Sequence, residues 1–201
     1  EERKTAGSSD RNKPKRAIAI TEIRNSIEIG AKKKELCDKY GFIGLYPLDN
    51  EIDMNSVSKE TMGLEISRAN EALILSADAV IANLTPFRGA SADVGTVYEV
   101  GMAKGLRKVI LGYTHDERKF LQRNIDELNR VCVSEGQYRD HNDMAIEDFN
   151  LVDNLMIDGG VTYPIIKREV SNVDEMYRSL AAFEECLVQL HRHYYPRGYV
   201  A

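Results

Sequence analysis

Cysteine is scarce in this 201-residue chain: Cys37, Cys132 and Cys186 are odd in number and far apart, so neither a complete disulfide framework nor a CxxC metal site can be built from them. That scarcity fits a reducing, cytoplasmic setting. Long apolar runs are also missing. Nothing approaches the roughly 18 consecutive apolar residues that a bilayer span needs, and no leader of the secretory kind opens the sequence; the expectation is no membrane and no secretion. Positive charge has no excess either, since 27 Lys and Arg stand against 32 Asp and Glu for a net charge of -5. A nucleic acid polymer requires clustered positive charge to neutralise its phosphates, so the expected partner is a small molecule. His115, His141, His191 and His193 lack metal-ligand spacing with acids or cysteines, and no metal is expected. The sequence also has no GxSxG elbow and no GxxxxGK[ST] loop, which removes a serine hydrolase and a P-loop NTPase.

What is present is an ordinary globular balance, with 43% hydrophobic and 29% charged residues, enough for one domain with a substantial core. Residues 1–16 carry six basic and three acidic residues without apolar periodicity and read as a flexible basic arm; residues 17–201 read as a single domain. Short β-rich apolar runs then alternate with amphipathic stretches, the pattern of a parallel sheet covered by helices on both faces. The spacing predicts strands at Ala17–Ile20, Phe42–Tyr46, Asp78–Leu84 and Lys108–Tyr113. It predicts helices at Ser26–Tyr40, Ser58–Ser76, Val94–Lys104, a short one within Phe149–Met156, and a long terminal one over Val173–Tyr194 with Met176, Leu180, Phe183, Leu187 and Leu190 on one stripe. Gly105 stands where a left-handed helix cap is expected.

In open parallel sheets, ligands bind outside the carboxyl ends of the strands, so the loop Thr85–Ala92 and the helix start after it are the place for a site. Asp93 precedes that helix and Glu99 lies about one and a half turns into it, a rise of roughly 9 Å along the axis. Gly95 permits close approach to the helix backbone, whose first amides favour negative charge. Asp93 is equally suited to be a plain N-cap. Glu99, among Val97, Tyr98, Val100, Gly101, Met102 and Ala103, is expected to be partly buried, and buried acids tend to be functional or paired.

The run ADAVIANLTPFRGASADVGTVYEVGMAKG, Ala77 to Gly105, resembles nucleoside 2-deoxyribosyltransferases, which move 2-deoxyribose from one nucleobase to another. GLYPLDNEID (Gly44 to Asp53), Asn70 within ISRANEALI, and NLM (Asn154 to Met156) resemble further family elements. The resemblance implies a flavodoxin-like, Rossmann-like three-layer α/β sandwich with a mostly parallel five-stranded sheet. It implies Glu99 as the nucleophile that forms a covalent sugar ester and Asp93 as the acid that exchanges a proton with the base. It also implies a substrate pocket drawing on Asn70, Phe87, Arg88, Gly95, Tyr98, Asn154 and Met156. In that pocket Tyr98 is a candidate to hold the Glu99 carboxylate, with packing against the sheet as the alternative; Phe87 and Arg88 are candidates to cover the base, with a loop anchor as the alternative; and Asn154 is a candidate to reach the sugar 5-hydroxyl from a neighbouring subunit, with an ordinary helix N-cap as the alternative. The implied partners are 2-deoxyribonucleosides and free nucleobases, with no cofactor, in a homo-oligomer, dimer or hexamer. One departure stands out: Arg16 to Gly30 contains neither the Gly-Pro turn nor the aromatic with which the family's first strand lines the base pocket. The rival readings are an N-glycoside hydrolase of the same fold, with water in place of the second base, and a non-catalytic nucleotide-binding module.

Overall fold

The computed structural model describes residues 14–21, 26–49, 58–128 and 130–196. The expectations for the arm up to Lys13, for the loop residues 50–53 and for Tyr199 lie outside them. Four βα units come first: β1 (Arg16–Thr21), α1 (Ile27–Lys39), β2 (Phe42–Leu45), α2 (Lys59–Ser76), β3 (Ala79–Asn83), α3 (Val94–Gly105), β4 (Val109–Thr114) and α4 (Phe120–Glu127). A small antiparallel hairpin follows, β5 (Cys132–Ser134) with β6 (Gln137–Arg139), then α5 (Leu155–Asp158), β7 (Ile166–Lys167), α6 (Val173–Met176) and α7 (Ala181–Tyr194). Five strands form one sheet in the order β2-β1-β3-β4-β7, every pairing parallel. The fold is the α/β sandwich expected, and β1 takes in Arg16, one residue earlier than the domain boundary drawn from composition.

Alternation along the strands feeds two separate cores. Ile18, Ile20, Ala79, Ile81, Leu111 and Tyr113 pack with Cys37 of α1 and Phe183, Cys186 and Leu187 of α7. Ala19, Val80, Ala82 and Ile110 point the other way, onto Ile74 of α2 and Val100 and Ala103 of α3. At roughly 25 cal/mol per Å² of apolar surface removed from water, these two layers are the main stabilising force.

Three expectations are corrected. Gly105 is an ordinary helical residue, and the left-handed position falls to Arg107, with φ of 57°. The chain closes there with Lys108 N bonded to Ala103 O and Arg107 N to Lys104 O, both 3.0 Å, the hydrogen-bond pair of a Schellman cap. The long terminal helix is broken into α6 and α7. The break falls where the Tyr177 hydroxyl reaches across to Pro86 O at 3.0 Å, and Phe183, Leu187 and Leu190 alone of the predicted stripe are wholly buried. The short helix sought in Phe149–Met156 starts later, at Leu155, where Asn154 caps it.

Gly30 shows how tightly α1 is seated. A Cβ there would lie 2.5 Å from Tyr46 Cε1 and 2.6 Å from Cδ1. The ring has no room to yield, because Tyr46 is 1% exposed and its hydroxyl accepts the Ser26 amide at 3.1 Å. Alanine normally favours a helix over glycine by about 1 kcal/mol, but overpacking costs about 1–3 kcal/mol and here wins. Gly30→Ala is expected to lower the melting temperature by about 2–6 °C, read by calorimetry against wild type; an unchanged or raised value would show that the helix can shift away from Tyr46.

Candidate active site

The site begins where β3 runs out. The Asn83 side-chain oxygen accepts the Thr85 amide at 3.1 Å and its hydroxyl at 2.7 Å, and Thr85 Oγ1 in turn accepts the His115 amide from the end of β4 at 3.2 Å. This ties the mouth of the loop to two adjacent strand ends. Arg88 and Gly89 then take positive φ, 57° and 148°, and the Phe87 amide bonds Ser91 O at 3.0 Å, so the loop doubles back on itself. The Arg88 guanidinium lies 4.9 Å from the centre of the Phe87 ring: the two side chains meant for the base stack on each other.

Asp93 caps α3, its Oδ2 accepting the amides of Gly95 at 3.0 Å and Thr96 at 3.1 Å. A Cβ at residue 95 would stand 3.0 Å from that same oxygen, so glycine keeps the cap uncrowded. The capping reading is therefore correct, and it leaves Oδ1 for other work. Glu99 follows on the same helix, partly buried. Burial first, and the nearby Asp93 charge second, push its carboxyl up to about 7, with no hydrogen bond from any described residue to oppose them. Desolvation and a like charge act in the same direction on a carboxylate.

The expected partner of Glu99 is not Tyr98. That side chain is 58% exposed and its hydroxyl donates to Glu71 of α2 at 2.7 Å, so it links α2 to α3 instead of holding the carboxylate. One position before Glu71 stands Asn70, whose Oδ1 is buried without a hydrogen-bond partner among the described residues. Asn154 caps α5 through Met156 N at 2.9 Å and donates to Glu147 at 2.6 Å, while Met156 is 74% exposed. The N-cap alternative for Asn154 is thus realised.

Sequence reasoning missed the residue that joins these parts. Asp153, 1% exposed, accepts Ser91 Oγ at 2.6 Å, the Ala92 amide at 3.0 Å and the Asn154 amide at 2.8 Å. Burial raises its carboxyl above the usual range. Thr21 at the end of β1 was missed too; its Oγ1 is buried with no hydrogen-bond partner among the described residues. The run FNLVDNLM has no helical or strand periodicity that would mark Asp153 as buried, and two of its partners, Ser91 and Ala92, lie about sixty positions away in sequence.

A family profile described as nucleoside 2-deoxyribosyltransferase matches residues 22–156. An uncharacterised protein of Schizosaccharomyces pombe is 32% identical over 99 residues, 48% of this chain and 46% of that one; the chain spans about half the length of this curated relative. Among solved structures, a 2-desoxiribosyltransferase from Leishmania mexicana aligns with a TM-score of 0.58 at 24% identity, over 85% of this chain and 97% of that one, which shows the fold. A 2-deoxyribosyltransferase from Bacillus psychrosaccharolyticus aligns with a TM-score of 0.44 at 17% identity, over 74% and 98% of the two chains.

Glu99 also makes a prediction that needs no substrate. Its ordinary value is 4.5 and its folded value about 7, so between these the folded state keeps a proton that the unfolded state has shed. Wild-type stability therefore falls as pH rises through that window, and the full penalty stands above about 7. Glu99→Gln has no such proton. Relative to wild type, the variant is expected to gain about 1–3 kcal/mol between pH ~4 and ~8, measured by urea unfolding at both; an equal difference at the two pH values would mean that Glu99 is solvated.

Proposed function

Because this chain belongs to the nucleoside 2-deoxyribosyltransferase family, we propose that it moves 2-deoxyribose between nucleobases through a covalent ester on Glu99. The observation that carries the reading is the partly buried Glu99 carboxylate, with no hydrogen bond from any described residue and influenced by Asp93. A nucleophile must keep a lone pair free, and a salt-bridged or fully hydrogen-bonded acid would not.

In the first half-reaction Glu99 attacks the anomeric carbon as the C–N bond breaks. The electron pair of that bond passes to the base nitrogen, which takes a proton from Asp93, and the sugar is left as an ester. In the second, the incoming base nitrogen attacks the same carbon, loses its proton to Asp93 and releases Glu99 as carboxylate. The 2-deoxy sugar lacks an electron-withdrawing hydroxyl, so the oxocarbenium-like transition state is reached with one nucleophile and one acid. Because Asp93 Oδ2 is engaged by two helix amides, Oδ1 is the oxygen assigned to proton exchange. We place the base against the loop carrying Phe87 and Arg88, and Asn70 at the sugar end.

Incubating the protein with deoxyinosine and free adenine, then separating the products, tests the reading. Deoxyadenosine is expected; deoxyribose and hypoxanthine alone would identify a hydrolase, and no reaction would leave a binding module. Glu99→Gln is expected to lower exchange by several orders of magnitude while the fold persists. Asp93→Asn is expected to cost about 10²–10⁴ in rate and to spare bases that leave readily. Wild-type kcat/KM should rise with pH up to about 7, since only the ionised Glu99 attacks. An active Glu99→Gln variant would overturn the mechanism.

We further propose that the active form is at least a dimer. Phe149 and Met156 are 61% and 74% exposed and Leu155 39%, an apolar group around Asn154 that a second copy would cover. Light scattering should give a particle of two or more chains; a fully active monomer would sink the proposal.

A further inference from the structure

Asp153 and Arg123 form a buried pair that is badly made as a stabilising device. Both are 1% exposed, yet the closest approach, Arg123 Nη2 to Asp153 Oδ2, is 3.6 Å. Arg123 also donates from Nη2 to Val152 O, while its Nε and Nη1 are buried with no hydrogen-bond partner among the described residues. A pair of this kind is often replaceable by apolar side chains without loss of stability. What apolar side chains cannot supply is direction, and direction is what the carboxylate provides. It takes the Ser91 hydroxyl at 2.6 Å and the Ala92 amide at 3.0 Å, immediately before Asp93, and the amide of Asn154 at 2.8 Å. The Asp153 amide itself donates to Asp158 at 2.7 Å, which locks the turn from the other side.

We propose that Asp153, held by Arg123, is a positioning residue that fixes the backbone before Asp93 and the backbone before Asn154 with one carboxylate, so that the acid of the site and the cap of α5 keep a constant relation. The proposal rests on the transferase reading for its kinetic consequence, but not for its structural one. When the Ala92 amide loses its acceptor, the residue that caps α3 is no longer held from behind, and the bonds from Gly95 and Thr96 to Asp93 loosen with it. An Asp93 displaced in this way transfers its proton poorly, although the sugar and base still bind.

The test uses two variants of the full chain. In Asp153→Asn the side chain keeps one acceptor of two, and its new NH₂ confronts a donor. In Ser91→Ala a single bond is lost with no change of charge, which keeps the test intact if the first variant does not fold. Amide hydrogen exchange is expected to quicken by about tenfold or more at Ala92, Gly95 and Thr96 in both, and at Asn154 in the first. With deoxynucleosides, kcat is expected to fall by about 10–10²-fold, most for bases that leave reluctantly, with KM within about threefold. Gly95 and Thr96 amides as protected as in wild type, or a loss equal across all bases, would overturn the proposal. A wild-type protein with no base exchange would refute the transferase reading alone, and the amide exchange would then decide the positioning role by itself.

Discussion

β3 is buried along its whole length and hydrogen-bonded in parallel on both edges, to β1 and to β4. A strand covered on both faces has no solvated side, so its residues have to be small or β-branched, and AVIAN is both. The constraint reaches further than packing. A central strand must end somewhere, and the backbone groups released at its end need partners. Asn83 and Thr85 supply them with side-chain atoms, and in doing so they fasten the loop to the end of β4. The start of α3 is thereby placed at the carboxyl edge of the sheet, and the two acids it carries come with it. Lengthening this loop or replacing Asn83 would act on the site through that placement, not through contact with a ligand.

Two carboxylates on one helix are treated differently by their surroundings. Asp93 stands at the helix start, where amide hydrogens and the helix dipole both favour a negative charge. Glu99 stands further on, beyond the reach of the free amides, beside the apolar residues that close α3 onto the sheet. Its charge is opposed by burial and by Asp93 together. The two acids thus sit in different surroundings, one engaged in a helix cap and the other partly buried within the helix, and a difference of surroundings is what lets two like groups take separate roles. The arrangement follows from helix geometry and depth, with no cation needed to create it.

The first four strands and three helices were legible because each carries its own signal: alternation or an unbroken apolar run for strands, a cap and helical spacing for helices. Asp93, readable in the sequence as a cap, is one in the structure, and Ser58, where the second helix is predicted to begin, caps it by accepting Thr61 N at 3.2 Å. Legibility fails where burial contradicts residue type. Lys33 and Arg123 are 1% exposed, where their residue type predicts solvation, and α4 is only eight residues long, too short for its periodicity to stand out in the sequence. β7 is two residues long and is defined by the edge of β4 that it joins, which no local pattern records. The terminal stripe is genuinely helical in spacing. The interruption begins at Tyr177, which caps α6 and is bonded to Pro86, 91 positions away, a contact no local spacing records. At the site, Glu99 could be found because its neighbours are apolar; Asp153 could not, because its partners are remote.

The unpartnered buried side-chain atoms among the described residues lie on Thr21, Asn70, His115 and Arg123. Thr21 ends β1 and His115 follows β4, so these two belong to the carboxyl edge of the sheet, and Arg123 is reached from that edge by α4. A buried polar group with no partner costs about 1–3 kcal/mol, and apolar replacements would remove that cost. For Thr21 and His115 that expense of stability falls at the carboxyl edge of the sheet, where α3 also begins. A ligand with hydroxyls and ring nitrogens offers the complementary donors and acceptors, and in a site that is partly dry each such bond is stronger than it would be in water. On the transferase reading proposed above, a nucleoside would supply such atoms with the partners that the described residues do not.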